Sequence, residues 1–549
     1  MARYFFILLA IALTLRAESL APEVAHVSHE VVVAGHPQAA EAGLRVLQGG
    51  GNAVDAAVAV SLCLGVAEPY ASGLGGKIEM LYYEASSKKL YVVDGMDTAS
   101  ATLPVKAFIA QPAHERIEGG PSAAVPGLAA GLYLAQKKWG VSSWDKDVQP
   151  AISLAEQGFV IYPKTLQLIK ESAARIKKSQ EGARIFLPRG KLPELGSRLQ
   201  NLDLAQTLKH LASEGPDSIY KGVTAEAIVN AVSAAGGYMT LDDLASYHAN
   251  IVEPVSVPFN GGNLYSTAPV SGGGQLLAVL AAFDKAKWSS PLFHSASSLN
   301  RFGHVFLNVY PKFDAATGDD DNVTARFAEL LSEKNIESIR SEASRSSEAE
   351  QSGADDGKQS TTHFIIVDKA RNIVCVTQSL SYHFGCGVVP IGTGIVMNNS
   401  LSNFSIKLPG KPNYVMPGKR PKSTIAPTIW LDINRNPKLA IGLPGGARIP
   451  TGIAQVILDY TEFHRPLADA IGDSRIHILK TGKKPTLECE TGLPASEIQL
   501  LKSYGWTVNL TEKIGTGELF GGVNAVEFLP DGSLTGVADL RRSNAVRGD

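Results

Sequence analysis

The stretch KQSTTHFIIVDKARNIVCVTQSL, from Lys358 to Leu380, decides how this sequence is interpreted. Two runs of β-favouring residues, one starting at Thr361 and one at Ile373, flank a charged turn, which predicts a β-hairpin. Upstream, residues 332–360 are polar, contain glycine and have few large apolar side chains, which predicts a flexible segment. A threonine therefore stands where a flexible segment meets a rigid strand.

This position suits a nucleophile if the chain is cut just before Thr361. The free α-amine of Thr361 could then act as the base for its own hydroxyl, which is otherwise a weak nucleophile at neutral pH. The alternative is a purely structural role, because a Thr361-Thr362 pair also suits the start of any strand.

Composition limits the function classes. The chain has 549 residues, enough for two to four structural units of common size or for one large interleaved fold. Its 51 basic and 53 acidic residues give a net charge of -2, so charge offers no argument for binding nucleic acid or anionic membranes. We expect a globular enzyme with a small-molecule substrate.

The N-terminus and the cysteines indicate a secretory protein without a disulfide scaffold. Residues 1–17 place Arg3 before an apolar run and Ala17 at its end, which predicts a signal peptide, with an uncleaved membrane anchor as the alternative. Four scattered cysteines predict buried free thiols with at most one or two bridges, and their spacing does not suggest zinc. Glycosylation sequons occur at Asn322, Asn398, Asn403 and Asn509.

Two further patterns predict local structure. Val46 to Pro69 contains a glycine turn followed by an alanine-rich, buried helix with Asp55 near its start. Lys438 to Tyr460 predicts a strand, a Gly-Gly turn and a helix. Backbone amides at the start of such a helix can stabilise an oxyanion, although simple strand-to-helix punctuation is the alternative.

Taken together, these motifs resemble the γ-glutamyltransferase (γ-glutamyltranspeptidase, glutathione hydrolase) family of N-terminal-nucleophile hydrolases. The resemblance runs from about Ala34 to the C-terminus, and its most specific marks appear in family order: GGNAVDAAVA (50–59), TTHF (361–364), GTGIVMNN (392–399), KRPKSTIAPT (419–428) and GLPGGARI (442–449). It implies an α/β fold, an αββα sandwich formed jointly by a large subunit (18–360) and a small subunit (361–549) after self-cleavage.

The resemblance assigns the reaction centre. Thr361 matches the nucleophile, and Ser379 matches a second hydroxyl that supports it. Gly445 and Gly446 match the glycines of the oxyanion hole. Thr361 would attack an amide carbonyl and pass the acyl group to water, an amino acid or a peptide, and no cofactor is implied.

The substrate-binding positions are only partly kept. Ser423 and Thr424 match a pair of hydroxyls that bind the substrate α-carboxylate. The family pattern places an arginine at about Met96, and methionine cannot replace its salt bridge. The family has acidic or amide residues at about Ser400 and Asn403, which hold the substrate α-ammonium, and an asparagine at Ser381.

Three hypotheses remain open. The first is a γ-glutamyltransferase or glutathione hydrolase acting on glutathione or a conjugate, with Lys77 as the one nearby substitute cation; a solvated loop charge is the alternative for Lys77. The second is an amidase or acylase of the same family with a less zwitterionic substrate. The third is a non-catalytic secreted binding protein, which the intact reaction centre disfavours. For His363, His36 and Asp55 we predict structural roles.

Overall fold

The computed structural model describes residues 21–267, 269–343, 359–481, 484–512 and 520–549. The predicted signal peptide, residues 1–17, lies outside the described residues. So does the middle of the predicted flexible segment, residues 344–358.

The described residues contain both strands and helices. The strands are β1 (Glu23–Val27), β2 (Val31–Ala34), β3 (Lys77–Glu84), β4 (Lys89–Gly95), β5 (Phe159–Val160), β6 (Arg198–Leu199), β7 (Asn250–Val252), β8 (Val255–Phe259), β9 (Gly262–Ser266), β10 (Gln359–Val367), β11 (Ile373–Tyr382), β12 (Thr428–Asp432), β13 (Pro437–Gly442), β14 (Ile476–Thr481), β15 (Lys484–Glu490), β16 (Thr507–Thr511), β17 (Asn524–Phe528), β18 (Leu534–Ala538) and β19 (Ala545–Gly548).

The α-helices are α1 (Pro37–Gln48), α2 (Ala53–Ala67), α3 (Val105–Ala110), α4 (Leu128–Trp139), α5 (Trp144–Gln157), α6 (Pro163–Glu171), α7 (Ala173–Ile176), α8 (Gln180–Phe186), α9 (Leu202–Glu214), α10 (Asp217–Tyr220), α11 (Gly222–Ala234), α12 (Leu241–Ala245), α13 (Gly273–Phe283), α14 (Ala296–Ala316), α15 (Val323–Leu330), α16 (Glu333–Ala343), α17 (Arg448–Thr461), α18 (Leu467–Gly472) and α19 (Ala495–Ser503).

Two seven-stranded sheets form the centre of the molecule. One has the order β1-β18-β17-β13-β12-β9-β8 and the other β19-β2-β10-β11-β3-β4-β7, and neighbouring strands in both are antiparallel. Each sheet combines strands from before and after Thr361. The two halves of the chain therefore share both sheets, as an interleaved fold requires.

Helices cover the outer face of each sheet. Apolar side chains of the two sheets meet in one core, represented by Ile365 and Leu81 from one sheet and Ile429 and Val526 from the other. A second core packs α1, α2, α4 and α5 on the outer face of the β10-containing sheet. A third packs α13, α14 and α17 on the other sheet. These four layers confirm the predicted αββα sandwich.

The local predictions around the first core are confirmed. Helix α2 is almost entirely buried and begins with a capping box. The Asn52 side chain accepts hydrogen bonds from the N–H groups of Val54 and Asp55, and the Asp55 carboxylate accepts one from the Asn52 N–H. His36 caps α1, because its Nδ1 accepts a hydrogen bond from the Gln38 N–H at 3.2 Å. Both residues have the structural roles that the sequence predicts.

The predicted hairpin is present, whereas part of the predicted flexible segment is not flexible coil. Strands β10 and β11 pair along their length, and β10 begins two residues before Thr361. Residues 333–343 of the polar segment form α16, because Ile336 and Ile339 are buried in the core with α13 and α14. Polar composition hid this apolar stripe.

The remaining sequence predictions, on cysteines, membrane spans and glycosylation sites, have different outcomes. All four cysteines are buried and unpaired, which confirms the prediction of free thiols. Among the described residues, no helix is long and apolar enough to cross a membrane. Of the sequons, Asn322 and Asn509 are exposed, but the amide of Asn398 is buried and donates to the carbonyls of Gly75 and Ala124.

Candidate active site

Thr361 lies near the start of β10, where the pairing with β11 is irregular. Ser360 faces Ser381, but Thr362 faces Gln378, so β11 carries one extra residue between these pairs. Ser381 has a φ of 72°, which is uncommon for a residue with a Cβ atom. This bulge lies where Ser379 of β11 contacts the Ser360 carbonyl.

Ser379 joins the hydroxyl of Thr361 to the carbonyl before it. Thr361 Oγ1 donates to Ser379 Oγ at 3.3 Å, and Ser379 Oγ donates to the Ser360 carbonyl at 2.6 Å. The Ser381 N–H donates to the same Ser379 oxygen at 2.8 Å. On the other side, Arg542 donates to the Thr361 carbonyl at 2.7 Å. The peptide bonds before and after Thr361 are thus each held by a side chain, the first by Ser379 and the second by Arg542.

A glycine turn connects β13 to α17 beside this bond. Gly445 and Gly446 have φ angles of 147° and 58°, which a residue with a side chain rarely adopts. Their carbonyls accept from the N–H groups of Arg448 and Ile449 at the start of α17. The strand, turn and helix predicted for this segment are confirmed, and Gly446 and Ala447, just before α17, line the same cavity as Thr361.

Thr361 opens into a cavity of about 310 Å³. The residues lining it come from both halves of the chain and include hydroxyls, amides and two lysines: Lys77, Tyr310, Thr361, Ser379, Ser381, Ser402, Asn403, Lys422, Ser423, Thr424, Ile425, Gly446 and Ala447. No aspartate or glutamate is among these lining residues. The cavity therefore presents positive charge and hydroxyl groups to a ligand.

Lys77 forms the charged wall of the cavity. It pairs with Ser379 across β3 and β11, and its side chain is 1 % exposed. Its Nζ donates to Ser381 Oγ at 2.8 Å and Ser400 Oγ at 3.0 Å and lies 3.6 Å from Asp97 Oδ1. Lys77 therefore lies where the predicted substitute cation would have to lie, and its role in binding substrate stays a prediction; the alternative of a solvated loop charge is wrong because Lys77 is buried at the start of β3.

Asp97 balances the charge of Lys77 from the side away from the cavity. It is fully buried, accepts a hydrogen bond from Ser400, and is not among the lining residues. Burial raises the pKa of Asp97 and lowers the pKa of Lys77, and the attraction between the two opposes both shifts. Within this ion pair, Lys77 lies nearer the cavity than Asp97 does.

A second row of polar side chains runs across the same sheet, one layer below the site. His363, Thr377, Glu79 and Asp94 pair in sequence across β10, β11, β3 and β4. His363 Nδ1 shares a 2.9 Å hydrogen bond with the Thr377 hydroxyl, and burial lowers the pKa of His363 to about 3. This is the structural role predicted for His363. Burial and Asp94 together raise the pKa of Glu79 to about 8.

The structure brings most of the predicted site residues together. Ser381, Asn403, Ser423 and Thr424 line the cavity with Thr361, Ser379 and Gly446. Gly445 adjoins it through the turn. Ser400 does not line the cavity, but it forms hydrogen bonds with Lys77 and Ser381, which do.

Met96 does not belong to the cavity. Its side chain is fully buried in the core that contains Ile425 and Ala426, and its carbonyl accepts from the Tyr247 hydroxyl at 2.6 Å. The substrate-binding position assigned to Met96 is therefore wrong, because the side chain packs into that core instead of facing the cavity.

Sequence reasoning missed several residues of the site. Asp97 follows Met96 directly, but no local pattern marks its carboxylate as a partner of Lys77. Tyr310 and Lys422 line the cavity mouth, and Lys422 forms an ion pair with Asp314. Lys422 stands in the quoted KRPKSTIAPT motif, whereas no local pattern marks Tyr310.

Comparison with known proteins identifies the family. The profile described as Gamma-glutamyltranspeptidase matches residues 39–548. The chain is 31 % identical to the "Glutathione hydrolase proenzyme" of Bacillus subtilis (strain 168), over 94 % of this chain and 91 % of that one. It is also 31 % identical to the "Acylase ACY 1 proenzyme" of Pseudomonas sp. (strain SE83), over 94 % and 92 % of the two chains.

Solved structures agree with the architecture. The cephalosporin acylase from Bacillus halodurans superposes with a TM-score of 0.86 at 26 % identity, covering 96 % of this chain and 97 % of that one. The γ-glutamyltranspeptidase of Helicobacter pylori gives a TM-score of 0.54 at 29 % identity, over 56 % and 89 % of the chains. The chain belongs to the γ-glutamyltranspeptidase family of N-terminal-nucleophile hydrolases.

Proposed function

We propose that this protein is a self-processing γ-glutamyltransferase or glutathione hydrolase-type enzyme that cleaves a γ-glutamyl amide through an acyl-enzyme on Thr361. The observation that carries the proposal is the hydrogen-bonded series from Thr361 Oγ1 through Ser379 Oγ to the Ser360 carbonyl. A nucleophile, its supporting hydroxyl and an amide carbonyl already meet in this arrangement.

Self-cleavage uses these same groups. Thr361 Oγ1 attacks the Ser360 carbonyl carbon, the C–N bond breaks, and the hydroxyl proton passes to the new α-amine. Ser379 donates to the carbonyl oxygen on which negative charge develops. Water then hydrolyses the resulting ester and releases a large subunit (18–360) and a small subunit (361–549).

Turnover repeats the chemistry on an external amide. The free amine of Thr361 takes the hydroxyl proton as the oxygen attacks the donor carbonyl, and the proton leaves with the departing amine. The turn at Gly445 and Gly446 stabilises the oxyanion. Water, an amino acid or a peptide then takes the acyl group from Thr361.

The names of similar proteins support the proposed class of reaction. The similar proteins from Bacillus subtilis and Escherichia coli are named glutathione hydrolase proenzymes, a name that includes a precursor form. We propose glutathione or a glutathione conjugate as the donor in this first form of the function.

A second candidate, an acylase for a donor without the γ-glutamyl zwitterion, is favoured by the cavity wall. Lys77 Nζ donates to Ser381 and Ser400, and Ser400 is one of the two positions at which the family pattern has an acidic or amide group for the substrate ammonium. The similarity to the protein named Acylase ACY 1 proenzyme supports the same chemistry with another acyl group.

The test of the reaction class compares wild type with Thr361→Ala and Thr361→Ser. We expect wild type and Thr361→Ser to yield a fragment with residue 361 at its N-terminus, and Thr361→Ala to remain one chain. Denaturing electrophoresis and N-terminal sequencing provide the measurement. An uncut, folded wild-type chain would contradict both candidate enzymes and favour the binding-protein hypothesis.

We also propose that the protein is secreted after removal of residues 1–17, on the basis of its N-terminal sequence. Asn322 and Asn509 are then the exposed candidates for glycosylation. Sequencing the N-terminus of the large subunit from the medium of a eukaryotic host tests signal-peptide removal, and the electrophoretic mobility of both subunits before and after glycosidase treatment tests glycosylation. A large subunit that retains Met1 and stays with the cells would contradict secretion.

A further inference from the structure

A cluster of side chains of the types that bind metal ions lies outside the active-site cavity. A ring nitrogen of His294 and carboxylate oxygens of Asp459 and Asp473 all lie within 4.8 Å of one another. His294 precedes α14, Asp459 is in the last turn of α17, and Asp473 follows α18. The three side chains line a cavity of about 250 Å³, whose lining residues are all different from those of the cavity at Thr361. Imidazole and carboxylate groups together suit Zn²⁺ and Mn²⁺.

The buried carboxylate of Asp459 lacks a partner for one of its oxygens. Its side chain is 4 % exposed, and no N–H or O–H group of the described residues donates to its Oδ2. Arg465 Nε lies 4.0 Å from this oxygen, which is beyond hydrogen-bonding distance. A buried carboxylate is costly unless it is paired, hydrogen-bonded or bound to a metal. A cation held at this oxygen would therefore stabilise the folded protein.

Arg465 does not neutralise the cavity. Its guanidinium donates to Asp473 Oδ2 at 2.8 Å, and its side chain is 40 % exposed. Glu497 also lines the cavity, where its carboxylate accepts from the Ala296 N–H at 2.6 Å. The lining residues thus include three carboxylates and one arginine. Because a carboxylate can accept at several lone pairs, the bond from Arg465 leaves Asp473 able to bind a metal as well.

A hydrogen bond orients the ring of His294. Its Nε2 lies 2.6 Å from the Ser474 carbonyl oxygen. Because a carbonyl only accepts, Nε2 carries the proton, and the lone pair of a neutral ring that can bind a metal is on Nδ1. Metal-binding histidines usually donate their other ring N–H in this way. Ligand atoms around a tetrahedral zinc ion are about 3.3 Å apart, and the partly exposed His294 and Asp473 can close to that distance.

We propose that His294, Asp459 and Asp473 bind a divalent transition-metal cation, Zn²⁺ or Mn²⁺, and that this cation joins the two subunits. His294 belongs to the large subunit, and both aspartates belong to the small one. Metal binding by the whole chain does not depend on the proposed reaction, and only the link between subunits rests on the proposed cleavage before Thr361. A proton shared between the two carboxylates is the alternative.

Metal content tests the site on the whole purified protein, without a histidine tag, after treatment with EDTA and dialysis. Wild type and the uncut Thr361→Ala chain should each retain about one equivalent of Zn²⁺ that Asp459→Asn and His294→Gln do not, measured by equilibrium dialysis and elemental analysis. Mn²⁺ should bind more weakly than Zn²⁺. Asp469→Asn, which removes an exposed carboxylate on α18, is the matched control and should keep the site. Equal zinc contents in wild type and Asp459→Asn would overturn the proposal.

Thermal unfolding separates a lost metal site from a damaged fold. In EDTA, Asp459→Asn should unfold at the temperature of wild type or above it, because the amide removes the repulsion between the two carboxylates. Saturating ZnCl₂ should raise the Tm of wild type by about 2 °C or more and leave that of Asp459→Asn unchanged. If Asp459→Asn does not fold, His294→Gln at the more exposed position gives the same comparison. A wild-type Tm that zinc does not raise would overturn the site.

Subunit separation tests the link in the cleaved protein. The urea concentration at which the two subunits of wild type separate during size-exclusion chromatography should be higher in ZnCl₂ than in EDTA, and the two values should be equal for Asp459→Asn. Bound zinc without this difference would overturn the link between the subunits. If wild type is not cut before Thr361, the proposed function fails, whereas the zinc content of the whole chain still decides whether the site exists.

Discussion

The two ends of the active-site cavity are built from different chemistry. The end formed by β10 and β11 carries uncharged hydroxyls, those of Thr361 and Ser379, above a neutral His363. The end formed by β3 and β4 carries Lys77 above the buried carboxyl of Glu79. The same sheet therefore holds a neutral reaction end and a charged recognition end side by side.

We infer from this difference that the substrate of such a site can change while the proposed reaction at Thr361 is kept. The hydroxyls at the reaction end are tied to one another and to the backbone, so replacing one disturbs the nucleophile. The recognition end depends on a buried ion pair that can be exchanged as a unit. We therefore expect changes at the reaction end to affect every donor, and changes at the recognition end to distinguish between donors.

The largest effect should follow Ser379→Ala at the reaction end. This change removes the hydroxyl that donates to the Ser360 carbonyl. Loss of one donor to a developing oxyanion typically slows a reaction about 10²- to 10³-fold. We expect self-cleavage to slow by that factor, measured as the appearance of the fragment starting at Thr361 in a time course of purified precursor.

Ser379→Thr is the matched control because it keeps the hydroxyl. It should process within about tenfold of wild type, and processed Ser379→Ala should lose activity towards charged and neutral donors alike. A loss of activity towards only one kind of donor would assign Ser379 to substrate recognition and contradict the distinction between the two ends of the cavity.

The next effect concerns the pH dependence of stability below the recognition end. Burial and Asp94 raise the pKa of Glu79 to about 8 from a usual value near 4.5. Between these values the folded protein binds a proton that the unfolded chain lacks, so the free energy of unfolding falls as pH rises. The slope is about 1.4 kcal/mol per pH unit for one proton, or about 2 to 3 kcal/mol from pH 6 to pH 8.

Urea unfolding at pH 6 and pH 8 measures this effect. Glu79→Gln is neutral at both pH values and should show a smaller loss of stability than wild type. The comparison variant is His363→Gln at the reaction end: His363 is neutral in the folded protein but titrates in the unfolded chain, so its removal should make the loss of stability from pH 6 to pH 8 larger, by less than about 1 kcal/mol, opposite in sign to the effect of Glu79→Gln. An unchanged slope in Glu79→Gln would show that Glu79 is ionised in the folded protein.

Sequence alone was sufficient for the reaction end because its residues lie in short, ordered motifs. The hairpin, the turn at Gly445 and Gly446, and the supporting Ser379 each follow from local pattern or family order. Ser379 lies close to Thr361 because β10 and β11 are consecutive strands joined by a short turn, whereas the turn at Gly445 and Gly446 reaches the site from the other sheet.

The recognition end could not be derived in the same way. Lys77 follows a run of glycines, which suggested an exposed loop, and its burial depends on pairing with β11, far away in sequence. The alternation of Lys77 and Glu79 on one strand face was an available signal. Asp97 becomes relevant only through its three-dimensional contacts with Lys77 and Ser400. Similarly, the helical stripe of Ile336 and Ile339 was hidden within a polar segment.

The smallest effect should follow Lys422→Met at the cavity mouth. Lys422 and its partner Asp314 are 29 % and 42 % exposed, so solvent screens their ion pair and its contribution to stability is within about 1 kcal/mol. By the same argument, we expect kcat/KM for a γ-glutamyl p-nitroanilide donor to fall by about fivefold or less and to depend more weakly on salt than in wild type. Steady-state kinetics at low and high ionic strength provide the measurement, with a double variant that removes the buried ion pair, Lys77→Met with Asp97→Asn, measured in parallel. If Lys422→Met costs as much as the double variant, recognition of the carboxylate lies at the mouth, and the contrast between a buried charged wall and a neutral reaction end no longer explains selectivity.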